Sequence, residues 1–373
     1  MKWCSKCILP DTRPGIVINE EGICGACLSS VRKHNEIDWR QREAEFSGMV
    51  NKIKKGDGLF DCVIPVSGGK DSTWQVVKCL EYGLKPLAVT WRTPGRTRLG
   101  QENLDNLIDI GVDHIDWQVN PKVERKFIVK SFRKFGSTAI PMHMAIMNIP
   151  LNIALKFEIP LVVFGENSAF EYGSGGDDSL TGFRMDRKWL EKFGVTHGTT
   201  AADWVDETLT EKDLGSYFGP ADEELEARNI SAVFLGHYFK WDVQESFDVA
   251  SKYGFRGAKQ ARTGIYDYAD IDDDFISIHH WMKWYKFGMT RSFDNLSLEI
   301  RAGRMTRDEA IARISELGEE RPDEDIDALC RFLRISRKEF LDITEQHRNK
   351  EIWVREGKTW KIRDFLVPDW QWG

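Results

Sequence analysis

Short apolar runs alternate along this chain with stretches whose apolar side chains recur every three or four residues. The run Cys62–Val66 reads as a buried parallel strand, its ladder cut short by Pro65. Trp74, Val76, Val77 and Leu80 then recur at helical spacing between Asp71 and Tyr82. Pro86–Trp91 predicts a second strand, Leu99–Ile110 a helix built on Leu104, Leu107 and Ile108, and Asp113–Val119 a third strand. Helices over Pro121–Phe135 and Met142–Phe157 lead to a fourth strand, Pro160–Phe164. From Ser168 to Asn229 the periodicity breaks into a polar, Gly-rich excursion that contains Glu171-Tyr172-Gly173-Ser174-Gly175-Gly176, and the strand pattern resumes at Ser231–Leu235. Strands alternating with helices of this length predict an α/β fold with a doubly wound parallel sheet. An insertion this long at a strand's carboxyl end reads as a lid or a substrate wall.

Residues 29–55 are charged and helical, linking the amino terminus to the sheet. Beyond Val243 the chain reads as helical, with capping boxes at Thr306…Glu309 and Ser336…Glu339. The expected organisation is an amino-terminal unit with linker helix (1–55), a sheet domain (56–250, insertion 168–230) and a helical carboxyl-terminal region (251–373).

Ligands of such sheets bind beyond the carboxyl ends of the strands. That rim carries Ser67-Gly68-Gly69-Lys70-Asp71-Ser72, Thr90-Trp91-Arg92 and Gly165-Glu166-Asn167. The glycine pair lets the backbone turn sharply and aim several N–H groups at a ligand, with the positive end of a helix behind them. This is a site for phosphate or pyrophosphate. It is not a Walker loop, because that motif's leading glycine would fall at Ile64 and Asp71 takes the Ser/Thr position. Nor do Gly173, Gly175 and Gly176 form a dinucleotide fingerprint.

Four of the seven cysteines form Cys4-x-x-Cys7 and Cys24-x-x-Cys27, the spacing of a zinc ribbon closed by four thiolates. Two disulfides or unrelated thiols are the alternatives, and disulfides are rare in a reducing compartment. A closed site holds structure and does no chemistry. The chain has 373 residues, a net charge of −7 and a pI near 5.7, which argues against a large nucleic-acid surface. No apolar run reaches membrane-helix length and Met1-Lys2-Trp3-Cys4 lacks a signal peptide's apolar core, so the expectation is a cytoplasmic protein without a membrane span. Of its fourteen Trp, most are expected in the core and a few against a flat polar ligand.

The Ser67–Ser72 loop in this context resembles the pyrophosphate loop of the ATP pyrophosphatase (PP-loop) superfamily, whose fold is the HUP-like adenine nucleotide alpha-hydrolase fold. Further segments are similar to one family within it, the N-acetyl sugar amidotransferases of surface-polysaccharide biosynthesis, including lipopolysaccharide O-antigens. These are Cys7-Ile8-Leu9-Pro10-Asp11-Thr12-Arg13-Pro14-Gly15, Gly165-Glu166-Asn167 with Glu171-Tyr172-Gly173, Tyr238–Asp242, Lys286-Phe287-Gly288-Met289-Thr290-Arg291 and Glu299-Ile300-Arg301 with Gly303-Arg304.

The resemblance implies that ATP adenylates the acetamido oxygen of a nucleotide-linked N-acetyl sugar and that ammonia displaces AMP, leaving an acetamidino group. It implies ATP, Mg²⁺ and Zn²⁺. Cys62, Cys79 and Cys330 stand in no nucleophile-like context. Ammonia would therefore come from a separate glutaminase paired with a barrel protein like those of histidine biosynthesis. In this reading Ser67, Gly68, Gly69, Lys70, Asp71, Ser72, Thr90 and Trp91 hold ATP, with Asp71 the Mg²⁺ ligand or else a helix cap. Glu166 and Asn167 orient the acetamido group or the ammonia, or else cap a helix. Glu171, Tyr172, His237, Lys240, Trp241, Lys286, Arg291, Arg301 and Arg304 are the candidate contacts to the sugar nucleotide, with a packed histidine and a snorkelling lysine the bland account of His237 and Lys240. Asp272-Asp273-Asp274 reads as an exposed turn, or as a second metal site. A tRNA thiolase using the same adenylation, and a non-catalytic nucleotide-binding subunit, are the rival readings. The sequence leaves open whether the chain forms a homo-oligomer.

Overall fold

Five strands, β1 (Cys62–Pro65), β2 (Pro86–Trp91), β3 (Asp113–Trp117), β4 (Leu161–Phe164) and β5 (Ser231–Phe234), form an all-parallel sheet in the order β3-β2-β1-β4-β5. This is seen in a computed structural model that describes residues 1–54, 56–173, 181–319 and 321–372. Side chains alternate across the sheet, as the two-residue period of a strand requires. Val63, Leu87, Val89, Val162, Phe164 and Phe234 enter one core, Cys62, Ile64, Ala88, Leu161, Val163 and Val233 the other. The first face is covered by α5 (Pro121–Phe135) and α6 (Ile140–Phe157). The second is covered by α2 (Trp39–Ile53), α3 (Lys70–Glu81), α4 (Arg98–Ile108) and α11 (Val243–Lys252).

From β1 the chain winds outward through β2 and β3, then returns to place β4 on the other side of β1. The reversal falls between β1 and β4, so the loops after these two strands diverge and leave a crevice. Into that crevice the chain puts Ser67–Ser72 and Gly165–Glu166.

The excursion after β4 contains α7 (Ser168–Tyr172), α8 (Arg187–Phe193), 3₁₀ turns at Ala201–Trp204 and Asp213–Ser216, and α9 (Asp222–Ala227). Its Trp189, Trp204, Leu214 and Tyr217 are buried against the α5–α6 face. At roughly 1.5–3 kcal/mol of transfer free energy per buried large apolar side chain, that anchoring makes the described part a fixed wall rather than a lid. Ser174, Gly175 and Gly176 lie outside the described residues.

Packing crosses the boundaries drawn on the sequence. The amino-terminal unit, with α1 (Gly25–Asn35), shares one core with α12 (Ile276–Phe287), α13 (Arg291–Arg301) and α14 (Arg307–Leu317), through Ile8, Leu9, Trp284, Phe293 and Leu296. α15 (Asp323–Leu333) and α16 (Arg337–Gln346) pack with α12 onto α5 through Leu329, Phe340, Trp281 and Phe132. Among the described residues the carboxyl-terminal region combines helices with a non-helical stretch, 253–275, and an antiparallel hairpin, β6 (Trp353–Glu356) and β7 (Thr359–Ile362). Its two-residue turn begins at Gly357 with φ of +64°, a conformation glycine takes without strain. The box at Thr306…Glu309 is complete. At Ser336 only the Glu339 N–H is capped, because the Glu339 carboxylate pairs with Arg133 at 2.6 Å. A further short helix, α10 (Leu235–Tyr238), takes Leu235 from the expected fifth strand.

Candidate active site

The loop after β1 is held open by its own hydroxyls. Ser67 Oγ accepts from Gly69 N–H at 3.2 Å, and Ser72 Oγ donates to Gly69 O at 2.9 Å. Gly68 has φ of +86°, and a Cβ there would lie 2.6 Å from the backbone nitrogen of Leu104, so only glycine fits both the turn and the passage of α4. Gly69 precedes α3 without a side-chain cap, which leaves the first N–H groups of that twelve-residue helix facing the crevice. Lys70 Nζ meets Asp71 Oδ2 at 2.7 Å, and Trp241 Nε1 donates to Asp71 Oδ1 at 3.0 Å. Glu166, at the end of β4, is pushed up to about 7 by burial and by the Asp71 charge.

Ser67, Gly69, Lys70, Asp71, Ser72 and Glu166 line a chamber of about 440 Å³. Val89, Thr90, Trp91, Met142, Ile146 and Phe164 give it an apolar end. Its outer wall is the segment 268–273, pinned to the start of α4 where Thr97 Oγ1 donates to Ile271 O at 2.6 Å. Asp272 and Asp273 thus face the loop chamber, a correction to the exposed turn expected of them; Asp273 is only 7% exposed.

A second chamber of about 550 Å³ adjoins the first, and Asp270, Ile276 and Arg291 line both. One face of α12 supplies His279, Lys283 and Lys286, α6 supplies His143, α7 supplies Tyr172, and the loop before α1 supplies Arg13. Arg13 Nε meets Asp294 Oδ1 at 2.7 Å, Lys283 Nζ meets Asp294 Oδ2 at 2.9 Å, and Arg291 stands 3.9 Å from the same carboxylate. Burial opposes a charge on Asp294, yet these three cations hold it well below the usual carboxylate range. Burial also pushes Lys286 down to about 8 and His143 and His280 down to about 4, leaving both histidines neutral. Cations outnumber carboxylates on this wall, so it is complementary to an anion.

The four amino-terminal thiols lie within 4.8 Å of one another and are buried, with Cys7–Cys24 at 3.6 Å and Cys4–Cys27 at 3.9 Å. A tetrahedron of thiolates about 2.3 Å from zinc has edges of about 3.8 Å, so the donor set fits that ion.

Residues 249–366 match the family model described as "LPS biosynthesis protein WbpG-like, C-terminal domain". That region is WbpG-like. It contributes α12, α13 and the 268–273 wall, and hence Lys283, Lys286 and Arg291 of the cationic chamber. Over 103 residues the chain is 30% identical to the shikimate dehydrogenase (NADP(+)) of Dictyoglomus thermophilum, which is 27% of this chain and 37% of that enzyme. The chain therefore spans little more than a third of that curated relative's length. The NMN synthetase of Francisella tularensis superposes with a TM-score of 0.35 at 13% identity, over 75% of this chain and 93% of that one. A "predicted subunit of tRNA methyltransferase" from Methanocaldococcus jannaschii does so with 0.27 at 17%, over 51% and 75%. The fold assignment rests on the strand order and the loop: this is an all-parallel sheet with the Ser67–Ser72 loop after its central strand, a four-cysteine unit before it and the WbpG-like region after it.

The candidate residues separate into three groups. Ser67, Gly69, Lys70, Asp71, Ser72, Thr90, Trp91 and Glu166 line the loop chamber, and Tyr172, Lys286 and Arg291 the cationic one. Glu171, Lys240, Trp241, Arg301 and Arg304 line neither chamber. They gather around a cleft of about 40 Å³ against α1. There Glu171 pairs with the buried Lys33 at 2.6 Å, Arg301 donates to Glu171 O at 3.2 Å, and Lys240 meets His34 at 3.0 Å. Arg304 is engaged by Glu299 and Asp242. His237 packs beside Phe183 and Tyr238, outside both chambers. Asn167 caps α7 at Ala169 N–H, and its amide holds Gly182 and Trp189.

Sequence reasoning passed over Arg13, His143, Asp270, His279, His280, Lys283 and Asp294 as site residues. One signal was available: His279, Lys283 and Lys286 stand at i, i+4 and i+7, a polar stripe on a helix otherwise rich in buried aromatics.

Proposed function

We propose that the chain is an ATP-dependent, AMP-forming amidotransferase that converts the acetamido group of a nucleotide-linked N-acetyl sugar into an acetamidino group, for lipopolysaccharide O-antigen or a related surface glycan. The observation that carries this reading is the junction of the two chambers at Asp270, Ile276 and Arg291, with a pyrophosphate-type loop on one side and a cation-lined wall on the other. ATP would lie with its β and γ phosphates on the loop and its base toward Val89–Trp91 and Met142. The sugar nucleotide would set its diphosphate against Arg13, Lys283, Lys286 and Arg291, presenting its acetamido group at the junction.

The amide oxygen attacks the α phosphorus, the bond from that phosphorus to the β-bridging oxygen breaks, and pyrophosphate leaves onto the loop. Ammonia nitrogen then adds to the imidate carbon, the carbon–oxygen bond breaks, and AMP departs with the electron pair. The first step turns a poor leaving oxygen into a good one. Ser67, Ser72, Lys70 and the α3 N–H groups stabilise the departing charge. Asp71 offers the hard oxygen that Mg²⁺ takes, and when bound the ion neutralises phosphate charge. Glu166, which exchanges its proton near neutrality, stands beside Asp71 to orient the amide or the incoming nitrogen. The four thiolates would hold Zn²⁺ as a structural ion.

Ammonia would come from a partner glutaminase associated with a barrel protein; no nucleic acid is required. Among the described residues no helix is long and apolar enough to cross a membrane. A thiolase reading needs a reactive cysteine near the loop, and Cys62 of β1 and Cys79 of α3 are instead buried in the core between the sheet and its helices. The deciding experiment is mass spectrometry of nucleotide-linked N-acetyl sugars incubated with ATP, Mg²⁺ and ammonium. Replacement of oxygen by NH lowers the product mass by about one unit, and sugars that all return unchanged would refute the amidotransferase reading.

A further inference from the structure

We propose that a narrow cleft between α5, α6, α12 and α15 is the ammonia port, with Asp273 as the carboxylate that receives ammonium. The inference rests on the amidotransferase reading and adds the route of its nitrogen.

The cleft encloses about 20 Å³, and Trp91, Ile128, Ala139, Phe275 and Leu329 form its apolar walls with Asp273 among them. That volume suits a molecule of water's size, and neither ATP nor a sugar enters it. Its position is what assigns it. Asp273 and Trp91 also line the loop chamber, His279 also lines the cationic chamber, and Ile276 lines all three spaces. The cleft therefore ends at the junction where the activated carbon is formed.

Asp273 is held in place from two sides. Its Oδ1 accepts the Phe275 N–H at 2.9 Å, and the Gly95 backbone crowds it so closely that a Cβ at Gly95 would run into the same oxygen. A carboxylate fixed against apolar walls attracts a small cation and is poorly suited to keep its own charge. Burial pushes Asp273 up to about 7, so it accepts protons near neutrality. Ammonium arriving there passes one proton to the carboxylate, and its nitrogen recovers the lone pair that attack requires. Neutral ammonia then crosses the apolar side chain of Ile276, and no ion has to enter the junction. The proton returns to solvent from Asp273 before the next cycle. Apolar walls admit ammonia more readily than ordered water, which protects the imidate from hydrolysis.

The test uses the full chain with ATP, Mg²⁺ and a sugar nucleotide, titrated with ammonium chloride. Two readouts are taken, sugar-dependent ATP–pyrophosphate exchange and amidine formation. Ala139→Leu fills the cleft from a position that lines neither chamber. It should leave exchange within about twofold of the parent while raising the KM for ammonium by about tenfold or more. Asp273→Asn, which keeps shape and removes the charge, should also raise that KM by about tenfold. Unchanged ammonium KM in both variants, with exchange intact, overturns the port alone. An absence of exchange in the parent with every sugar overturns the adenylation reading, and the port with it.

Discussion

Trp241 joins the amino-terminal unit to the phosphate loop: its indole Nε1 donates to Asp71 Oδ1 at 3.0 Å while its carbonyl oxygen accepts from Lys33 Nζ at 2.6 Å. Lys33 sits on α1, six residues beyond Cys27, and pairs with Glu171 of α7. One buried ammonium thus ties the helix that leaves the four-cysteine cluster to the segments carrying Asp71 and Glu166.

Lys33→Met should destabilise the protein by about 3–5 kcal/mol, because it leaves the Glu171 carboxylate buried without its counterion. The added change Glu171→Gln should restore part of that loss, since a neutral amide tolerates the site better. Urea unfolding of the two variants measures this. Equal midpoints for Lys33→Met and the parent would mean that the pair is solvated. Trp241→Phe spares the fold but frees Asp71, and sugar-dependent pyrophosphate exchange should drop by about tenfold, the worth of a hydrogen bond to a charged group.

The same linkage sets the expectation for the metal. Chelation, or Cys24→Ser, should remove one zinc per chain and loosen α1. The phosphate loop should then lose affinity for ATP although no cysteine approaches it. Metal analysis and ATP titration on one sample check both halves. Protein without stoichiometric zinc, or unaltered ATP binding after its removal, would count against the scheme.

Much of this arrangement could be read from the chain because strand and helix periods are local. Cys62–Pro65, Pro86–Trp91 and Leu161–Phe164 are runs of buried residues, and the glycines of Ser67–Ser72 answer to a turn written in a few adjacent positions. The substrate contacts were harder, since charge alone does not say what it faces. Glu171, Arg301 and Arg304 look like ligand-binding groups, yet each is engaged within the protein by a partner distant in sequence. Arg13 reads as part of a cysteine-ribbon turn until Thr12 Oγ1, donating to Phe287 O at 2.6 Å, docks that turn on the end of α12. The hairpin at Trp353–Ile362 was passed over although Gly357, at the turn between two short runs rich in Trp, Val and Ile, announces it.

Lys286 offers a case in which stability and binding oppose each other. Burial depresses it from 10.5 to about 8, so the folded state holds fewer protons than the unfolded one between those values, and stability rises with pH across that window. Below about 8 both states are protonated and the cost of the buried ammonium is complete. Lys286→Met should therefore stabilise the protein near neutrality by roughly 1–2 kcal/mol, allowing for partial exposure. It should also raise the KM for the sugar nucleotide by about tenfold. In the parent, affinity for that anion should decline as pH rises through about 8, and the decline should vanish in the variant. Isothermal titration at pH 6.5 and 9 tests the sign.

Glu166 and Asp71 connect the chemistry to pH. Burial first, and the Asp71 charge second, push the Glu166 carboxyl from 4.5 up to about 7. Between those values the folded state keeps a proton that the unfolded state has released, so this group's contribution to stability is full below about 4.5 and is lost as pH rises to about 7. Activity has the opposite dependence if ionised Glu166 orients the reacting amide or the incoming nitrogen, and kcat should climb through about 7. Asp71→Asn removes the neighbouring charge and so should move that inflection to lower pH. The same change takes away the carboxylate proposed for Mg²⁺ and should depress adenylation by about 100-fold, the scale of losing a main electrostatic stabiliser in a water-poor site. A side chain that merely capped α3 would shift the inflection through its charge but leave the Mg²⁺ dependence and the adenylation rate unaltered. AMP release measured from pH 5.5 to 8.5 across a Mg²⁺ titration reads both effects. Turnover near the parent's with unchanged Mg²⁺ dependence would take Asp71 out of the reaction, and a pH profile flat through about 7 in the parent would return Glu166 to a packing role.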